Sequence, residues 1–171
     1  CLEINIPIID IINGLKNYSG VKRRFEIKHI IKNKKIMIID DYAHHPSEIK
    51  VTLDSLKLIS RKRIIVIVEP HRYSRLSSLL ENFIDSLQYA DSIYLLPIHS
   101  AGETNKREIN NEIFCKRLKK HYPEKQVLKV STQEHFFNIL KNNINPGDNI
   151  IFLGAGKSSS IAKEFCRYFE F

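Results

Sequence analysis

Ile36-Met37-Ile38-Ile39-Asp40-Asp41-Tyr42-Ala43-His44-His45-Pro46 sets an unbroken apolar run directly before two carboxylates, a phenol and two imidazoles. A continuous apolar run reads as a strand buried on both faces. Ligands of open α/β sheets bind just past the carboxyl ends of such strands. Polar groups crowded at that edge are costly unless they are used. The plainer reading is a polar loop whose aspartate caps the helix beginning near Pro46.

Upstream, Pro7 to Tyr18 reads as a short helix with Ile8, Ile11, Ile12 and Leu15 at helical spacing. Phe25, Ile27 and Ile30 alternate with polar residues, and Lys32-Asn33-Lys34-Lys35 turns the chain into Ile36. A small N-terminal β-hairpin feeding the main sheet is expected. Downstream, strand and helix alternate. Pro46 opens a helix with the stripe Ile49, Leu53, Leu56 and Ile59. Ile64 to Val68 is a β-branched strand, and Leu76, Leu79, Leu80, Phe83, Ile84 and Leu87 predict one long helix. A strand over Ile93–Ile98, a helix over Glu108–Tyr122 and a short strand over Val127–Val130 follow. Ser131 with Glu134 forms a capping box before Phe136, Phe137 and Leu140. The strand Ile150–Leu153 and a closing helix with Ile161, Ala162 and Phe165 end the series. Alternating βα units predict a single Rossmann-like α/β domain over 1–171, a mostly parallel sheet with helices on both faces.

With 171 residues, 43% of them hydrophobic, the chain has one domain's worth of soluble core. No apolar run approaches the ~20 residues of a membrane span, and no basic-then-apolar leader opens the chain. A cytoplasmic location without membrane contact is expected. Cys1, Cys115 and Cys166 are too scattered for a disulfide framework or a zinc site, and read as reduced thiols. The net charge of +8 is spread in short clusters, so it reads as solvated surface, not as a nucleic-acid footprint.

Four loops fall at strand carboxyl ends and share one rim. The first is Asp40 to His45. The second, Glu69-Pro70-His71-Arg72-Tyr73-Ser74-Arg75, sets two arginines three apart at a helix start, a fork suited to a carboxylate or phosphate. The competing reading is two solvated arginines. The third loop is His99 to Asn105. The fourth, Gly154-Ala155-Gly156-Lys157-Ser158, fails the P-loop pattern, because Ile151 stands where its first glycine belongs. It is either a backbone-exposing turn for a ligand or only a tight strand-to-helix turn. Adjacent His44 and His45 lack the spacing of metal ligands, so no metal site is expected.

Five ordered strings, GVKRRFE (20–26), DDYAHHPSEIK (40–50), EPHRYSR (69–75), SAGE (100–103) and LGAG (153–156), resemble the C-terminal domain of the Mur ligases. The HRYxR string favours the branch that adds L-alanine to UDP-N-acetylmuramate. The resemblance implies an ATP- and magnesium-dependent ligase of three domains in peptidoglycan precursor synthesis. Its central ATPase domain, with the catalytic lysine and magnesium ligands, lies outside this chain. By position, Arg24 and Asp41 are implied as nucleotide contacts, Asp41 to the ribose hydroxyls. His44, His71, Arg72 and Arg75 are implied on the side that receives L-alanine. No residue of this chain is implied as catalytic, and alone it is expected not to turn over. Lys157 departs from the aspartate that often follows GAG in the family. Two other classes stay open: a stand-alone basic module binding nucleotide or nucleic acid, and a metallohydrolase built on the histidine pair.

Overall fold

The computed structural model describes residues 2–18, 20–105 and 109–168. Helix α1 (Ile8–Lys16) starts after Pro7 and leaves Ile8, Ile9 and Leu15 exposed, with no residue buried. Strand β1 (Glu26–Ile31) turns through 32–35 into β2 (Ile36–Asp41), and the pair is antiparallel, as the expected hairpin requires. The alternating series then runs α2 (Pro46–Ile59), β3 (Ile64–Val68), α3 (Tyr73–Ser78), α4 (Leu80–Ser86) and β4 (Ser92–Leu95). It continues with α5 (Asn111–His121), β5 (Gln126–Lys129), α6 (Gln133–Asn143), β6 (Asn149–Leu153) and α7 (Ser158–Arg167).

The six strands lie in the order β1-β2-β6-β3-β4-β5, and every pairing except β1–β2 is parallel. Within β3, Ile64, Val66 and Val68 enter one core cluster, while Ile65 and Ile67 enter the other. That two-sided burial is why every position of the strand is apolar. Leu53 and Leu56 of α2, Phe83 of α4 and Phe114 of α5 fill the first cluster. Phe136 and Leu140 of α6 and Phe165 of α7 fill the second. The sheet is therefore covered on both faces, and its parallel strands present their carboxyl ends on one rim.

Several local expectations shift. The long helix over 76–87 breaks at Leu79, whose φ of −120° and ψ of 25° leave the helical region. Ser78 Oγ donates to the carbonyls of Ser74 and Arg75, the back-bonding that bends helices. The apolar residues on both sides of the break, Leu76 before it and Phe83, Ile84 and Leu87 after it, still enter one core cluster. Ile59, placed in the α2 stripe, is exposed at the helix end. Helix α6 is capped by Thr132, whose side chain accepts from His135 N, so Ser131 is not the cap and the Ser131–Glu134 box does not form. Helix α5 is capped by Asn110, and the predicted start at Glu108 lies outside the described residues. Cys1 also lies outside them. Cys115 is a buried free thiol whose pKa is pushed up by burial, which keeps it unreactive. No helix among the described residues is long and apolar enough to cross a membrane.

Candidate functional site on the carboxyl rim of the sheet

At the end of β2 the two aspartates go opposite ways. Asp41 is buried, and its carboxylate accepts Phe25 N at 2.7 Å and Ala43 N at 2.7 Å. It ties the start of β1 to the rim loop. The helix cap belongs instead to His45, which accepts from Ser47 N, while Glu48 reaches back to His45 N at 3.0 Å. The alternative role of Asp41 as cap of α2 is thereby corrected. Asp41 and Arg24 nevertheless line one shallow cleft, with Phe25, Glu48 and Thr52. The guanidiniums of Arg23 and Arg24 lie 4.8 and 5.7 Å from the centre of the Tyr42 ring.

Asp40 faces the other side of the sheet and is fully buried. Burial raises its pKa, against the pull of the Ser159 hydroxyl, Arg23 and Lys28. Arg23 also donates to the Gly154 carbonyl at 2.6 Å, so it fastens the hairpin to the glycine turn. Of the two arginines in the opening motif, Arg23 is the structural one and Arg24 is the exposed one.

The loop after β3 carries the densest cluster. The His44 and His71 rings are 5.3 Å apart, and His71 and His99 are 5.0 Å apart. Arg72 N donates to His99 O, and His99 N donates to Pro70 O, each at 2.8 Å. This small bridge holds Arg72 at a φ of +71°, a conformation that non-glycine residues rarely adopt. Arg75 Nη1 lies 3.5 Å from both Nδ1 and the carbonyl of His71. Arg72 reaches instead toward Glu103, at 3.8 Å. Glu103 accepts Ser74 N at 3.0 Å and Ser74 Oγ at 2.7 Å, which holds its pKa below the usual range. The start of α3 is therefore occupied by an internal carboxylate, contrary to the expectation that it would add to an anion receptor. What remains for a ligand is the arginine and imidazole side chains.

Burial lowers the His71 pKa, reinforced by His44, His99, Arg75 and Arg72. These surroundings favour the neutral imidazole of His71 over its charged form. Among the described residues no group of three or more His, Cys, Asp or Glu is arranged to hold a metal ion.

The glycine turn after β6 has an internal occupant. Glu69, buried at the end of β3, accepts Gly156 N at 3.0 Å, Lys157 N at 2.9 Å and Ser158 N at 3.1 Å. The amides that could cradle a phosphate are thus spent on a carboxylate, which settles the choice for this turn in favour of fold. A Cβ at Gly156 would stand 2.7 Å from Glu69 Oε1, and one at Gly154 would stand 2.8 Å from Glu69 Cβ. Gly156→Ala should therefore destabilise the domain by about 1–3 kcal/mol, as overpacking does. Gly14→Ala is the control, since nothing lies within 4 Å of its Cβ. Equal denaturation midpoints for the two variants would show that the turn has slack.

The rim thus gathers His44, His71 and Arg75, sets Arg72 beside them against Glu103, and places Arg24 with Asp41 in a neighbouring cleft. Reading the sequence missed Glu69, His99, Glu103 and Arg23. Arg23, Glu69 and Glu103 stand inside the motif strings quoted above, and His99 was signalled only by its place in a loop at a strand end. The fold is that of a doubly wound α/β domain with polar side chains gathered on the carboxyl rim of its sheet. Residues 23–156 match the family model described as Mur ligase, glutamate ligase domain. The chain belongs to the Mur ligase family. It is 37% identical over 169 residues to the UDP-N-acetylmuramate–L-alanine ligase of Sulfurihydrogenibium sp. strain YO3AOP1, covering 98% of this chain and 36% of that protein. The ligase of the same name from Geotalea uraniireducens is 39% identical over 155 residues, with 91% and 33% covered. The crystal structure of the UDP-N-acetylmuramate–alanine ligase of Thermotoga maritima superposes with a TM-score of 0.79 at 24% identity, over 98% of this chain and 34% of that one. The chain spans about a third of the length of these relatives.

Proposed function

We propose that this chain is the C-terminal domain of an ATP-dependent ligase that joins L-alanine to UDP-N-acetylmuramate. The observation that carries the reading is the convergence of His44, His71 and Arg75, with Arg72 alongside, on the carboxyl rim of the sheet. The names of the relatives that match along almost the whole chain support it. In this reading the sugar's carboxylate attacks the γ-phosphorus of ATP, giving an acyl phosphate and ADP. The alanine ammonium loses one proton, its freed amine attacks the acyl carbon, phosphate leaves with the bonding pair, and the nitrogen releases a second proton to solvent.

The chain's own residues take the positioning roles. Arg75 and Arg72 hold the alanine carboxylate, and the imidazoles of His44 and His71 face its ammonium, where His71 can take the first proton and so free the lone pair for attack. Arg24 and Asp41 border the cleft for the nucleotide's ribose. Magnesium would be held with the ATP phosphates, and none of the roles given to this chain's residues depends on it. The phosphates and magnesium fall to the central ATPase domain of the same polypeptide. Work on ATP and a nucleotide sugar fits a cytoplasmic enzyme of peptidoglycan precursor synthesis.

The test is ADP release by the intact ligase. It should require ATP, magnesium, UDP-N-acetylmuramate and L-alanine together, while the domain alone should release none, because it has no P-loop to position phosphates. Turnover without alanine, or by the domain alone, would refute the proposal.

A further inference from the structure

A second cavity opens at the same rim, on the side of the sheet covered by α6 and α7. Its volume is about 320 Å³, and apolar Leu96, Ile98, Val130, Phe136 and Ile161 share its lining with the polar segment 131–133 and Lys157. That volume lies at the small end of the ~300–1,000 Å³ typical of ligand pockets. Glu69 forms part of its wall, but its carboxylate is committed to the amides of the glycine turn. The cavity therefore offers an apolar body and no free internal anion.

His99 is the boundary of this space. Its residue lines the cavity, and its ring lies 5.0 Å from that of His71, tilted by 41°. His71 itself does not line the cavity, so His99 is the residue that the cavity shares with the histidine and arginine cluster. The backbone of His99 is pinned on both sides by the 2.8 Å bonds to Pro70 and Arg72. Shortening the side chain leaves both of those backbone bonds in place.

We infer that the cavity is a latent side-chain pocket for apolar L-amino acids larger than alanine, and that His99 is the wall that closes it. This rests on the proposed ligase function and deepens it, naming a determinant of amino-acid selectivity outside the arginine and histidine cluster. The physical reason is general. An apolar pocket gains roughly 10- to 200-fold in specificity per methylene it can accept, so a small substrate is protected only if adjoining apolar space is shut.

The experiment measures amino-acid-dependent ADP release by the intact ligase with L-alanine, L-norvaline and L-leucine. For His99→Ala and His99→Ser we expect kcat/KM for norvaline or leucine to rise at least roughly tenfold, as one accommodated methylene implies. The KM for ATP should stay unchanged and alanine should remain a substrate. Val130→Phe, added to either variant, fills the cavity and should cancel the gain while sparing alanine. If both His99 variants keep the wild-type preference, the assignment is overturned. Loss of alanine turnover in both variants also overturns it, since a wall that does not hold the carboxylate is dispensable for the small substrate. Wild-type enzyme without alanine-dependent turnover would instead refute the ligase reading itself.

Discussion

Arg75→Ala in the intact ligase should raise the KM for L-alanine by roughly ten- to more than a hundredfold, with the KM for ATP nearly unchanged. A charge-assisted bond to a desolvated carboxylate is worth about 1.5–3 kcal/mol, and each ~1.4 kcal/mol is tenfold in binding. Arg75 is held 3.5 Å from His71, so its guanidinium is already oriented and loses little freedom when the substrate arrives. Arg72 is half exposed and already shares Glu103, at 3.8 Å. Its solvated partnership must be partly given up to engage alanine, so Arg72→Ala should cost less than Arg75→Ala. Steady-state kinetics at saturating ATP and UDP-N-acetylmuramate decide the matter. Wild-type values for both variants would make these arginines ordinary surface cations.

Asp41→Asn should lower the thermal midpoint of the domain. The sequence alone offered a choice between a ribose contact and a helix cap, and for either one asparagine should leave the fold intact. In the folded domain both carboxylate oxygens are engaged, one by Phe25 N and one by Ala43 N, each at 2.7 Å. Asparagine has one acceptor oxygen, so one buried amide is left facing an NH₂ group. Losing a bond to a charged acceptor costs about 1.5–3 kcal/mol, or roughly 3–12 °C for a chain of this size. The ATP KM is measured in parallel, because the carboxylate keeps lone pairs toward the cleft it shares with Arg24. An unchanged midpoint with a raised ATP KM would return Asp41 to a purely nucleotide role.

The parts of the molecule legible in the sequence are those governed by near neighbours. Side-chain direction repeats every two residues along a strand and about every 3.6 along a helix. The apolar runs at Ile36–Ile39 and Ile64–Val68 therefore announced buried parallel strands, and the stripe Ile49, Leu53, Leu56 announced α2. The hairpin followed from alternation before a lysine-rich turn. Residue chemistry at strand ends likewise singled out Arg72 and Arg75 without any coordinates, and the family resemblance added His71.

What tertiary structure decided is where carboxylates find their amides. Glu69 reaches across 88 residues to Lys157 N, and Glu103 reaches back 29 residues to Ser74. Both satisfy orphan donors at helix starts that the sequence left open as anion sites. Local pattern carries no information on such partners, because a carboxylate meets its donor only after the strands have chosen their order. With β6 placed between β2 and β3, the glycine turn comes to lie beside Glu69. With β4 beside β3, His99 comes to lie against His71 and Arg72. The contact between His99 and His71, on which the inferred selectivity wall rests, exists only through that pairing.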